Sequence, residues 1–488
     1  ADVSLPAIFS DHMVLQAETS VPVWGWAEPG EQVTVSIGDQ SKAATADADG
    51  KWMIKLDKLK SDQATSLTVK GKNTITINDV LTGEVWLCSG QSNMAMKVKK
   101  SKDFELEKEA ANYPKIRMFE ESSNPNPSIQ EKCNGSWKVC SPDTVDKFSA
   151  TAYFFGRELF RKINQPIGLI NSSVGGTPIE AWTSLEAQKD VPELKPLFET
   201  WEKRISEWDQ EKANAAYEEK LAKYKEALAK EGKPEKKSDR PKKPESPVTS
   251  GSRPANLFNS KIAPLIPYSI KGAIWYQGEA NAKNLEVIYD LTLPLMIKDW
   301  RTRWNQGDFP FAWVQLPGYK KVQEKPVEEG PWPNIRECML KALSVPNTGM
   351  AITIDVGEAE DIHPKNKQEV GKRLAMWALA KVYGQNCAFS GPLPAGHEIK
   401  GSEIVCSFKH TDGGLVSKDG ELKGFAIAGA DKIWYKANAR IDGDKVVVSS
   451  PEVKEPKAVR YAWANNPVCN LFNGAGIPAS PFRTDDWK

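Results

Sequence analysis

Histidine is nearly absent from this chain: four residues, His12, His363, His397 and His410, among 488. A catalytic imidazole therefore has few places to be. Long apolar runs are missing too. No stretch reaches the roughly 18 consecutive apolar residues that a transmembrane helix needs, so no membrane span is expected. Neither sign of charge is in excess: 65 Lys+Arg face 64 Asp+Glu, which removes bulk attraction to nucleic acid or to an anionic membrane. Cysteine is sparse, with seven scattered residues, too few for a disulfide scaffold of this size. Cys133 and Cys140 flank Asn134-Gly135 at a spacing that allows a small loop bridge. No CxxC or paired His/Cys spacing points to zinc. The chain begins ADVSLPAIF, without a basic-then-apolar leader. A cytosolic protein and an exported one whose leader has been removed both fit that start.

Tryptophan is abundant, with 17 residues. Most are expected in packing, with a few rings suited to the flat faces of sugars. The length exceeds what one core usually holds, so two to four domains are expected. Residues 1–80 carry short alternating runs (VPVWGW, QVTVSIG, KWMIKL, SLTVKG) cut by Gly, Pro, Asp and Asn, the pattern of a small β-sandwich. From 81 to about 390, apolar strands (EVWLCS, IGLINSS, KGAIWY, FPFAWVQ, GMAITID) alternate with amphipathic stretches. Several are apolar on both faces, which predicts an open parallel sheet covered by helices. KNKQEVGKRLAMWALAKVYG is the clearest helix, with Val370, Leu374, Trp377 and Lys381 on one face.

An insertion interrupts this domain at about 200–253. Residues 201–229 predict one charged helix with an apolar stripe of Trp201, Ile205, Trp208, Tyr217, Leu221, Tyr224 and Leu228. A Lys/Pro-rich connector follows, expected to be extended or disordered. Residues 391–488 return to β patterning and either stand alone or pack with residues 1–80. The fold class is thus α/β, with β-sandwich-like regions at both ends.

Open parallel sheets build sites beyond the carboxyl ends of their strands. Those ends carry Ser89-Gly90-Gln91-Ser92-Asn93, Ser172-Ser173-Val174-Gly175-Gly176, Gln277-Gly278-Glu279-Ala280-Asn281, and Glu358 through His363. A hydroxyl, a glycine pair, amides and an acid–imidazole pair suffice for acyl transfer. His363 is the one histidine that follows a buried strand beside acids. Ser92 competes with Ser89, Ser172 and Ser173 as nucleophile on spacing alone, and with a plain helix cap as its role. Gly90-Gln91-Ser92-Asn93-Met94 has Met where a nucleophile elbow needs its second Gly, which argues against a standard α/β-hydrolase. Glu358, Glu360 and Asp361 with His363 also read as a metal cluster, but one His and no second ligand block make that reading weak.

The blocks GQSNM, NSSVGGTPIEAW, IWYQGEANA and DIHPKNKQEVGKRLA resemble those of the SGNH hydrolase superfamily, and more closely the sialate O-acetylesterase family. LPAIFSDHMVLQ, RPANLFNSKIAPL and YAWANNPVCNLFNGAGIPASPFRTD extend the resemblance over most of the chain. The resemblance implies an SGNH-type sheet with Ser92 as nucleophile, His363 as base and Asp361 as orienting acid. It implies oxyanion N–H groups from Gly176 and Ser92, with Gln91 and Glu279 on the oxyanion or substrate side. Two departures stand out. The acid usually lies three residues before the His, where this chain has Glu360. The third block usually offers Asn after Gly-x, whereas here Gln277 precedes the Gly and Asn281 follows one place late; Gln277, nearer the strand end, is preferred.

The resemblance further implies a serine esterase that needs no cofactor, takes an acetylated glycan or sialic acid, and is periplasmic or secreted. Acetylated plant polysaccharide such as xylan is the alternative substrate, and a decayed glycan-binding protein the alternative class. Arg253, Arg336 and Lys365 are the cations considered for a sialic acid carboxylate, and Trp182, Trp275 and Trp332 the rings considered for the sugar pocket.

Overall fold

The computed structural model describes residues 2–231 and 239–487. One 17-residue strand, β1 (Thr74–Gly90), joins the N-terminal β region to the central sheet. Its first half alternates between exposed and covered positions and pairs antiparallel with Ala64–Lys70. From Val80 onward every residue is buried, as a strand covered on both faces requires. The expected boundary at 80/81 therefore falls inside a continuous strand, and the apolar core runs through it. Before it, Gln32–Ile37, Gln40–Thr45 and Ala64–Lys70 form one layer with β1, and Val21–Trp26 pairs with Lys51–Leu56.

The central sheet continues with β2 (Tyr113–Glu121), β3 (Gly135–Cys140), β4 (Ile167–Ser173), β5 (Gly272–Tyr276), β6 (Phe311–Gln315) and β7 (Thr348–Ile352), in the spatial order β7-β6-β5-β1-β4-β2-β3. Neighbours are parallel except the edge strand β3. β1 lies between β4 and β5, where the chain reverses its direction of travel across the sheet, so a crevice opens at its carboxyl end. Trp86 packs against Phe155 of α2 (Ala150–Ile163), and α2 packs on α7 (Lys367–Lys381). Trp275, on the opposite face, packs edge-on against Trp300 of α5 (Tyr289–Trp304). Strands β2 and β3 were not among the expected ones. Cys133 and Cys140 are free thiols, held apart by the length of β3.

The insertion forms two helices, α3 (Lys195–Ser206) and α4 (Gln210–Glu231), in place of one. Asp209 breaks the run: its Oδ1 accepts from the backbone N–H groups of Glu211 and Lys212, both at 3.0 Å, capping α4. The apolar stripe is real, since each of its seven residues is buried or half-buried. Residues 232–238 of the expected connector lie outside the described residues.

Residues 391–487 form several small antiparallel sheets around a core of their own, including Ile404, Phe408, Ile427, Val448 and Tyr461. This region docks on the central domain through Arg336 of α6 (Pro331–Lys341). The fully buried guanidinium donates to the carbonyls of Leu316, Pro317, Ala464 and Asn465 at 2.6–2.8 Å.

Candidate active site

At the end of β1 the backbone of Gly90 has φ +140°, and a Cβ there would lie 2.0 Å from the Tyr276 carbonyl. Only glycine lets β1 leave the sheet this close to β5. One turn of helix follows, α1 (Ser92–Ala95), with Ser92 as its first residue and Gln91 in the cap position. The Ser92 hydroxyl is thus not consumed as a cap. The start of α2 holds this turn: Ser149 Oγ donates to the Met94 carbonyl (2.6 Å) and Thr151 Oγ1 to the Asn93 carbonyl (3.1 Å).

His363 arrives on the loop between β7 and α7. Its Nε2 lies 2.9 Å from Ser92 Oγ, so the hydroxyl donates when the imidazole carries its proton on Nδ1. Asp361 Oδ1 accepts from the His363 backbone N–H at 2.8 Å and lies 3.6 Å from Nδ1. Glu360 is exposed and makes no ion pair among the described residues. The rival serines are occupied or out of reach. Ser89 is fully buried, Ser172 Oγ donates to the Lys261 carbonyl (2.8 Å), and Ser173 Oγ donates to Asn171 Oδ1 (2.7 Å). Partial burial holds the His363 imidazole below its ordinary range, aided by Lys367 and Lys100 and opposed by Asp361. The imidazole therefore stays neutral, and basic, to lower pH.

Gly175 and Gly176 lie across from Ser92 on the loop after β4 and line the same cleft. Gly176 is left-handed, with φ +72° and open space where a side chain would go. Gln91 Oε1 accepts from the backbone N–H groups of Ala280 (3.1 Å) and Gly278 (3.4 Å). That fixes the amide of Gln91, which is one of the residues lining the cleft. The preference for Gln277 is corrected. Its Nε2 donates to the Thr177 carbonyl (3.1 Å) and to Asn281 Oδ1 (2.7 Å), and its Oε1 accepts from the Tyr289 hydroxyl (2.6 Å). Both amide hydrogens are spent, and of these two amides Asn281 lines the cleft while Gln277 does not. Asn281 Nδ2 donates one bond, to Glu180 Oε1 at 2.9 Å. Burial pushes the Glu180 carboxyl up to about 7, and no sequence signal had singled it out. Glu279, expected on the substrate side, lines the cleft, and its Oε1 accepts from Asn93 Nδ2 at 2.5 Å.

The cleft on this side has a volume of about 810 Å³, walled by Pro178, Pro196, Leu197, Trp201, Arg204 and Leu285. Helix α3 of the insertion therefore forms part of the site, which its charged composition had disguised. The signal present in the sequence was Trp201 and Arg204 three apart, one helical turn. The Arg204 guanidinium stacks 4.4 Å from the Trp201 ring centroid and pairs with no carboxylate among the described residues. On the far side of Ser92 and His363, a second depression of about 670 Å³ is lined by Lys97, Lys99, Lys100 and Lys365. The cations considered from sequence fare differently. Arg336 is spent on carbonyls, Arg253 donates to the Val248 carbonyl (3.0 Å), and Lys365 pairs with Glu358 (3.3 Å). Trp182, Trp275 and Trp332 are buried in packing. Among the described residues, no group of three or more His, Cys, Asp or Glu side chains is placed to hold a metal ion, and no helix is long and apolar enough to cross a membrane.

A family model described as carbohydrate esterase, sialic acid-specific acetylesterase, matches residues 82–233 and 255–380. The chain is 30% identical to the sialate O-acetylesterase of Mus musculus, across 97% of this chain and 92% of that protein. It is 29% identical to the one of Homo sapiens, across 97% and 91%. A solved carbohydrate acetylesterase from Xanthomonas citri is 33% identical and superposes with a TM-score of 0.84, covering 99% of this chain and all of that one.

Proposed function

This chain belongs to the sialic acid-specific acetylesterase family of carbohydrate esterases, and from that premise we propose that it removes O-acetyl groups from sugars through an acetyl-enzyme on Ser92. The observation that carries this reading is the 2.9 Å approach of His363 Nε2 to Ser92 Oγ at the floor of the cleft. Ser92 Oγ attacks the acetyl carbonyl carbon as His363 takes its proton. The tetrahedral oxyanion is met by backbone N–H groups of Ser92 and Gly176, with Gln91 Nε2 or Asn281 Nδ2 adding a side-chain donor. Collapse expels the sugar oxygen, which takes the proton from His363. A water, deprotonated by His363, then attacks the acetyl-serine and releases acetate. Asp361 orients the imidazole and stabilises its charged form, a role its contacts favour over Glu360. No step draws on a cofactor.

The substrate we favour is an O-acetylated sialic acid, as in the printed names of the mammalian relatives. Arg204 is the cation suited to its carboxylate, since a guanidinium pairs a carboxylate in bidentate fashion and this one is already stacked on Trp201. A second reading, an acetylated plant polysaccharide such as xylan, is favoured by one observation: depressions extend to both sides of Ser92 and His363, as a chain continuing past the acetylated sugar needs. A decayed glycan-binding protein is disfavoured by the assembled Ser–His pair. An exported location accords with an extracellular glycan substrate. Acetate release from 9-O-acetylated sialic acid and from acetylated xylan, by wild type and Ser92→Ala, decides the matter. Release from the sialic acid, lost in the variant, is the expected result. Release mainly from xylan would move the substrate to plant polysaccharide, and release from neither would overturn the esterase reading.

A further inference from the structure

Asn93, Glu279 and Lys367 come from three separate segments: α1, the turn after β5 and the start of α7. None of them reaches the reacting atoms, yet all three side chains are buried and joined. Asn93 Nδ2 donates to Glu279 Oε1 (2.5 Å) and to the carbonyl of Ile362 (3.0 Å). Lys367 Nζ donates to Asn93 Oδ1 (2.8 Å) and to the carbonyl of Pro364 (2.6 Å). The Tyr276 ring lies 5.3 Å from the ammonium. Ile362 and Pro364 are the residues on either side of His363, and Asn93 directly follows Ser92. One carboxylate–amide–ammonium chain thus grips both neighbours of the base and the neighbour of the nucleophile.

The charges give the chain a direction. The amide oxygen faces an ammonium and the amide nitrogen faces a carboxylate, so turning the amide over would set like against like. In a dry interior such a misplacement is costly. Burial pushes Lys367 down to about 7 and Glu279 up from its ordinary range, each held back by the other's opposite charge.

We propose that Asn93, Glu279 and Lys367 are positioning residues forming a buried clamp that sets the Ser92–His363 approach. The inference rests on Ser92 and His363 being the reacting pair. It is tested by a cycle of Asn93→Asp, Glu279→Gln and the double variant. Glu279→Gln removes the carboxylate that most favours the ammonium, ahead of Asp361 and Glu358, and Asn93→Asp sets two carboxylates against each other and leaves the Ile362 carbonyl without its side-chain donor. The double variant again has one carboxylate and one amide in reversed order, with the carboxylate at 93 facing Lys367, while the bond to the Ile362 carbonyl stays lost. Each single variant is expected to lose about tenfold or more in kcat with KM changed less than about twofold, and the double variant is expected to be more active than Asn93→Asp alone, the clash of carboxylates being relieved while the Ile362 bond stays lost. If a single variant does not fold, a folded and active double variant is the same rescue. Additive losses, a loss carried in KM, or a double variant that stays unfolded would overturn the clamp. Ser92→Ala is measured alongside. An inactive Ser92→Ala with additive losses overturns the clamp alone, whereas an active Ser92→Ala overturns the reading of the reacting pair as well.

Discussion

Replacing Asp361 by Asn removes the negative charge 3.6 Å from His363 Nδ1 while keeping the shape of the side chain. The contribution of that charge can be bounded. A unit pair about 4 Å apart is worth about 1 kcal/mol in water and about 4 kcal/mol at a protein-surface dielectric. Both side chains are close to half exposed, at 44% and 40%, so a value in between, about 2–3 kcal/mol, applies to the imidazolium formed during attack. That corresponds to a fall in kcat of roughly 30- to 150-fold. Asp361 also raises the imidazole, so its loss should move the acid limb of kcat/KM to lower pH. The assay is initial-rate hydrolysis of a soluble acetyl ester across pH, with Glu360→Gln as the companion. Glu360 is exposed and pairs with no cation among the described residues, so its variant should stay within about twofold of wild type. A large loss in Glu360→Gln beside a near-normal Asp361→Asn would refute the assignment.

Other outcomes follow from the same geometry. In the wild type, the acid limb of kcat/KM should have its midpoint below 6.5, because burial lowers the folded-state value of His363 and its neutral form is the base; a midpoint above 7 would remove His363 from that role. Trp201→Ala should raise KM about threefold to tenfold with little change in kcat, the loss expected of one aromatic face, measured by steady-state kinetics on the acetylated sugar. Arg204→Ala should weaken O-acetylated sialic acid and spare a neutral acetyl ester. Arg336→Leu should remove four hydrogen bonds, leaving the Leu316, Pro317 and Ala464 carbonyls without a donor among the described residues while Asn465 keeps the Tyr319 N–H, and destabilise the join to the C-terminal region by roughly 4 kcal/mol, at about 1 kcal/mol each, seen as an earlier thermal transition.

The parts of the fold most legible in sequence were the doubly buried strands. Trp86-Leu87-Cys88, Ile274-Trp275-Tyr276 and the Phe311–Gln315 strand are apolar without alternation, and each is interior in the sheet. Strands β2 and β3 were missed because polar positions such as Lys115, Arg117 and Lys138 dilute that signal near the sheet edge. The serine and histidine were legible because each sits where a strand ends, and topology brings such ends together. The amides were not. Gln277 and Asn281 differ by four positions in a tight turn, and which one faces the cleft depends on where Tyr289 and Thr177 stand, residues that sequence order does not place nearby. The insertion was read correctly in its stripe and wrongly in its continuity. In a helix covered in Lys and Glu, the three-residue spacing of Trp201 and Arg204 was the mark of the face turned toward the cleft.

The mechanism requires a covalent acetyl group on Ser92, and trapping that group is the decisive experiment. Wild type would be mixed with a fast acetyl ester, quenched in acid within one turnover, and digested for peptide mass spectrometry. The mechanism predicts a one-acetyl mass increase on the peptide holding Ser92, absent in Ser92→Ala and accumulating less in His363→Asn. Acetate release by wild type with no acetylated Ser92 peptide, together with undiminished turnover by Ser92→Ala, would contradict it.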